Sequence, residues 1–147
     1  MSIDTNTRMG KVLTKLKGTN RADQVIFKGG FIPDSKVRSV GLENVLVDTG
    51  AITLCLPADI IQKLGLELLK TIPVAAANGV SEAQVFQDAR ISLCGREGTF
   101  ECLELPGGQD ALIGVIPLEM LGLEPDLQNQ TLRKLPLEMS NTYITIL

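Results

Sequence analysis

Val45-Leu46-Val47-Asp48-Thr49-Gly50-Ala51 is the stretch on which the reading of this chain turns. Three consecutive apolar β-formers suit a strand buried on both faces. They stop abruptly at Asp-Thr-Gly, residue types that favour a tight turn. Alone, that triplet makes Asp48 a turn residue and nothing more. Its surroundings add to it. Pro57 is expected to open a helix with Ile60, Ile61 and Leu64 on one face and Gly65 as its stop. Asn78-Gly79, between extended runs at 74–77 and 80–85, predicts a hairpin, because both residue types tolerate positive φ. A second hairpin is expected across 90–105, turning near Gly95 to Gly98.

Upstream, residues 11–17 alternate, with Val12, Thr14 and Leu16 on one face and lysines mainly on the other, as in a half-buried strand. Asn20 can cap a short helix over 21–28, with Asp23 in its first turn and Gly29-Gly30 as the stop. Residues 31–42 read as extended, punctuated by Pro33 and Gly41. Residues 142–147 are β-branched and apolar and predict a terminal strand.

The chain also echoes itself. Leu46-Val47-Asp48-Thr49-Gly50 leads to Pro57 and then Leu64-Gly65-Leu66. Ala111-Leu112-Ile113-Gly114 leads to Pro117 and then Leu121-Gly122-Leu123. Two half-folds about a local pseudo-twofold would write such a pattern, although short apolar motifs also recur by chance.

Composition narrows the chemistry. At 147 residues the chain fits one ordinary domain, and 44% hydrophobic content supports a packed core. Aromatics are only 3%, so aliphatic residues must fill that core. A net charge of −3 offers no basic face of the kind a phosphate backbone selects, so no nucleic-acid partner is expected. No apolar run is long enough to span a bilayer, so no membrane partner is expected either. The first ten residues lack a secretory apolar region, which makes a cytoplasmic location the expectation. Cys55, Cys94 and Cys102 have no metal-ligand spacing and are expected to be free thiols, mostly buried. The sequence has no histidine. That removes Ser-His and Cys-His nucleophilic systems, makes a zinc site improbable, and leaves carboxylates as the leading acid–base groups.

In motif order and spacing, the chain resembles the retropepsin-like aspartic peptidases over roughly residues 10–147. Leu46-Val47-Asp48-Thr49-Gly50-Ala51 is similar to their active-site loop, Leu112-Ile113-Gly114 to their second signature strand, and Asn78-Gly79 sits where their flap tip would be. The single-domain members from bacteria and archaea resemble it more closely, with a Val37-Arg38-Ser39-Val40 lead-in and Gly-x-Ile-Pro-Leu-Glu at 114–119. Viral members usually carry Arg just after Ile-Gly, where this chain has Val115.

The resemblance implies a mainly β fold, a closed retropepsin-like acid-protease barrel with one or two short helices. It implies a domain over 10–147 behind a flexible tail at 1–9. Asp48, Thr49 and Gly50 would be the catalytic residues, and Ala51, Ala77, Asn78, Gly79, Val80 and Ile113 the substrate-binding ones. The activity would be endopeptidase cleavage of an extended peptide or unfolded protein, with no metal and no cofactor. One Asp-Thr-Gly is half of a dyad, so the other Asp48 would come from an identical chain. Two further readings stay open at this level: a non-catalytic homodimeric peptide-binding or assembly module on the same fold, and a monomeric barrel whose Asp48 only turns the chain. Of the remaining polar residues, Arg38 is expected in a structural salt bridge, Asp110 in a solvated loop and Glu119 on the surface.

Overall fold

The structure, a computed structural model, describes residues 11–136, and of Ala76 only the backbone. The tail expected over 1–9 and the strand expected over 142–147 lie outside the described residues. Alternation at the start of the chain gives β1, Val12–Asn20, with Val12 and Leu16 buried and Lys15 and Lys17 in solvent. Asn20 then ends the strand and begins helix α1, Arg21–Lys28, its side-chain oxygen accepting from the Asp23 N–H. A 3-10 turn over Asp34–Lys36 interrupts the segment expected to be extended. The chain then enters β2, Ser39–Val47, whose last residues are the apolar run before Asp48.

After the Asp48 loop come β3, Leu54–Pro57, and α2, Ala58–Leu64. Pro57 caps α2 from the end of β3, one position earlier than expected, and is itself buried. A long hairpin follows, β4 (Glu67–Ala76) and β5 (Gly79–Leu93), and β6, Arg96–Leu105, returns along β5. The β5–β6 turn is Cys94-Gly95, both at positive φ (54° and 77°), the combination a two-residue primed turn demands. The last elements are β7 (Leu112–Ile113), α3 (Val115–Leu121), β8 (Leu123–Asp126) and β9 (Thr131–Lys134).

Pairing runs β1-β2-β7-β3-β6-β5, and β5 pairs back onto β1 through Lys17↔Ser92 to Asn20↔Ala89. Six strands therefore close on themselves, which abolishes the edges an open sheet would expose. The fold is mainly β, as expected, with three short α-helices among the described residues. β4 lies outside the ring, hydrogen-bonded only to β5. β8 and β9 form a separate two-stranded ribbon. The interior is aliphatic: Val12, Val45, Leu54, Leu56, Ile91 and Ile113 each keep 1% or less of their surface.

The echo in the sequence has a physical counterpart. β2 and β7 lie side by side and parallel, Leu46 opposite Leu112 and Val47 opposite Ile113. Helices α2 and α3 end identically, on Gly65 (φ 63°, ψ 34°) and Gly122 (φ 66°, ψ 41°), each N–H turning back to carbonyls of the last turn. Glycine adopts this left-handed cap without a Cβ penalty. The leucine after each, Leu66 or Leu123, is buried and draws the chain back to the core. The two ends are plugged differently. Asn20 Nδ2 donates to the Leu64 and Gly65 carbonyls (2.8 and 3.3 Å). Arg96 Nη1 donates to those of Leu121 and Gly122 (2.9 and 2.8 Å), and its Nη2 to Leu135 (2.7 Å).

Candidate active site

β2 delivers Asp48 to the rim of the ring. The Asp48 N–H still belongs to the sheet and donates to the Ile113 carbonyl at 3.0 Å. One residue later the chain turns. The Gly50 N–H donates to Asp48 Oδ1 at 2.9 Å, and the Ala51 N–H to the Asp48 carbonyl at 3.1 Å. The carboxylate thus folds its own loop and keeps its second oxygen for other partners. Asp48 is half-buried, while Thr49 and Gly50 face solvent. A Cβ on Gly50 would stand 3.2 Å from Asp48 Oδ1, tight enough to push on the carboxylate.

Helix α3 holds the loop in place. It has no side chain capping its start. Its first N–H groups, which a helix leaves without internal partners, donate to the loop instead: Gly114 to Thr53 (3.0 Å), Val115 to Ala51 (2.9 Å) and Ile116 to Ile52 (2.9 Å). The approach is so close that a Cβ on Gly114 would lie 2.5 Å from the Ala51 oxygen and 2.7 Å from that of Thr53. Gly114, expected only as part of the second signature strand and not among the site residues, thus belongs to the site. Its signal was a helix opening on Gly-Val-Ile with no Ser, Thr, Asp or Asn to cap it.

An open groove of about 310 Å³ lies beside Asp48, walled by Lys11, Leu46, Val47, Thr49, Pro125 and Leu127. Among the described residues, Asp48 is the one carboxylate that lines it. Large apolar side chains around the loop are unusually bare: Ile52 is 71% exposed, Leu127 59% and Ile116 49%.

The β4–β5 hairpin carries the other expected residues, Ala77, Asn78, Gly79 and Val80. Ala76 pairs with Gly79, so the two turn residues are Ala77 and Asn78, one position before the expected Asn78-Gly79. The positive φ falls on Gly79 (122°), now the first residue of β5. Ala77, Asn78 and Gly79 are exposed, Val80 is 81% exposed, and nothing from this tip walls the Asp48 groove of its own chain. Ile113 differs from expectation. It keeps none of its surface and packs in the core, because the side chain that follows β7's inward register cannot also face a substrate. Its contribution is the carbonyl that accepts from Asp48.

The remaining polar residues behave structurally. Arg38 grips Asp23 as a fork, Nε to Oδ2 at 2.9 Å and Nη2 to Oδ1 at 3.0 Å, and its backbone N–H also donates to Oδ2 at 3.0 Å. Those hydrogen bonds hold the Asp23 carboxyl below its ordinary range despite its burial. Asp110 and Glu119 are exposed. Cys55 and Cys102 are buried, Cys94 exposed, and all three are free. Burial, and then the neighbouring Asp48, push the Cys55 thiol up, while burial drives Cys102 up to about 12, so neither is a ready thiolate.

A buried strand ending in Asp-Thr-Gly, clamped by a pseudo-symmetric strand and helix, is the layout of an aspartic peptidase loop. Residues 42–121 match the family described as "gag-polyprotein putative aspartyl protease". The chain belongs to this family. Among solved structures, the solution structure of the simian foamy virus (mac) protease is similar at 21% identity, covering 54% of this chain and 85% of that one, with a TM-score of 0.43. No curated protein matches the chain.

Proposed function

We propose that the chain is one subunit of a homodimeric aspartic endopeptidase, whose active centre forms when two Asp48 loops meet across a twofold axis. One observation carries this reading: among the described residues the groove holds a single carboxylate, delivered by a hydrogen-bonded loop and ringed by bare apolar side chains. Hydrolysing an amide without a metal or a covalent nucleophile takes a base for the water and an acid for the leaving nitrogen. Two adjacent carboxyls sharing one proton supply both, since close like charges resist joint ionisation. Asp48 from each subunit would be that pair. Thr49 would bind the two loops to each other, and Gly50 would let the substrate backbone approach. Ile52, Leu127 and Ile116 would be covered by the partner or the substrate. Ala77, Asn78, Gly79 and Val80 would close over an extended peptide and pair with its backbone.

The test is incubation of the whole protein with a mixed peptide library over a range of pH, beside Asp48→Asn. Cleavage of internal bonds by the wild type, absent in the variant, is the expected result. Binding of extended peptides by a dimer that cleaves nothing at any pH would replace this reading with a binding or assembly module.

A further inference from the structure

Helix α1 buries a charge on its inner face and leaves apolar side chains partly bare. Its one buried residue is the charged Asp23. Val25, Ile26 and Phe27 are 54, 42 and 39% exposed, and Phe31 just beyond is 82% exposed. The helix is held by polar contacts, the Asn20 cap and the Asp23–Arg38 fork. Ile26 and Phe27, one turn on from Asp23 and on its face, keep more than half of their surface covered, whereas Val25 lies on the opposite, outer face. The helix also lies before residue 42, where the match to the peptidase family begins.

A cavity of about 270 Å³ adjoins these side chains. Lys17, Lys28, Thr19, Ser39 and Gln24 line it beside the Phe27 ring, with Asp34 as the single acid. The charge of the chain is segregated to match. Residues 17–39 contain five Lys or Arg and two Asp or Glu, whereas residues 41–136 contain six and thirteen. Lys17, Lys28 and Lys36 are all exposed.

We propose that residues 17–39 form a docking face for an anionic lipid surface. Lys17 and Lys28 would take a headgroup phosphate in the cavity between them, and Val25 and Phe31 would enter the headgroup–acyl boundary. Projecting apolar side chains flanked by lysines are what such an interface accepts. Its extended negative field attracts the basic edge and turns the acidic body away. A nucleic acid would match the lysines but leave the aliphatic side chains in water. No described helix is long and apolar enough to cross a membrane, and lying on one needs no such helix. The face is independent of the peptidase reading.

Flotation of the whole protein with vesicles tests this. One set is phosphatidylcholine alone, and the other has part of it replaced by phosphatidylglycerol. Binding is expected only to the second set and should fall with added salt. Lys17→Glu with Lys28→Glu should weaken it roughly tenfold or more, whereas Lys63→Glu with Lys70→Glu, the same charge change elsewhere, should not. Phe31→Ser, at a site too exposed to disturb folding, should weaken binding while leaving its salt dependence. Asp48→Asn should bind like wild type. Equal binding to both vesicles, or to neither, overturns the proposal. So does competition by inorganic phosphate at low concentration, which marks a free-anion site. A change of sedimentation mass on lysine substitution overturns it too, because it marks an acidic protein face, including that of a second copy.

Discussion

Gly114 and Asp23 show how much a single position can decide here. At Gly114 any side chain meets two loop carbonyls that cannot retreat without releasing Asp48. Gly114→Ala should cost about 1–3 kcal/mol by overpacking, read as a lower denaturant midpoint, and should remove peptidase activity more completely than the stability loss explains. Unchanged stability would mean that the loop is not clamped as described. Asp23 is held by three hydrogen bonds from Arg38, and its folded pKa lies below the ordinary value. A depressed carboxyl contributes stability that is present above its unfolded pKa and lost as pH falls through the folded one. Asp23→Asn should therefore cost about 1–3 kcal/mol near neutrality. The gap between wild type and variant should shrink below roughly pH 4, where the unfolded carboxyl takes up its proton. A gap that widens in acid would contradict the assigned sign. Both residues were partly legible. Asp23 was placed in the first turn of a capped helix and Arg38 in a salt bridge, but their pairing spans 15 residues, beyond any local signal.

At the scale of elements, local chemistry was legible and long-range pairing was not. Helix α1, its Asn20 cap and its glycine stop follow from residues within one or two turns. The β4–β5 hairpin was legible too, yet its turn is shifted by one residue because the positive φ is taken by Gly79 at the start of β5. The parallel β2–β7 pair and the β1–β5 closure join segments far apart in the chain, and only the echo hinted at the first. The hairpin also yields a prediction. Nothing lies within 4 Å of a Cβ on Gly79, so a side chain there meets no neighbour and opposes only the backbone angle. Gly79→Val should cost roughly 1–3 kcal/mol at most while cutting cleavage much further. A variant that melts several degrees lower but cleaves normally would make Gly79 a fold residue, with no flap role. Arg96 links elements in another way, capping α3 and holding the chain at Leu135. Arg96→Met keeps the stem and removes these charged donors. It should destabilise the protein by about 1–3 kcal/mol, read by thermal unfolding. No shift in melting would show that water replaces the arginine without cost.

On the proposed reading, the whole molecule presents half of a site. Its ring is closed and its core aliphatic, yet among the described residues the groove at Asp48 has one carboxylate, and the hairpin that could cover a substrate does not wall it. The features behind that reading, one Asp-Thr-Gly and no histidine, are legible in the sequence. The exposure of Val25 and Phe31 is not legible there, because it follows from where α1 is tethered and not from its composition. If two Asp48 carboxyls share a proton, they titrate as a unit, and cleavage should follow a bell in pH with its optimum below neutrality. The most direct test is a tandem protein, two copies joined by a flexible linker. One version has Asp48 in both halves and the other has Asp48→Asn in one. A shared dyad predicts that the hybrid loses nearly all cleavage, as much as the doubly substituted tandem does. A hybrid that keeps about half the rate of the intact tandem, as non-interacting sites would, would contradict the account.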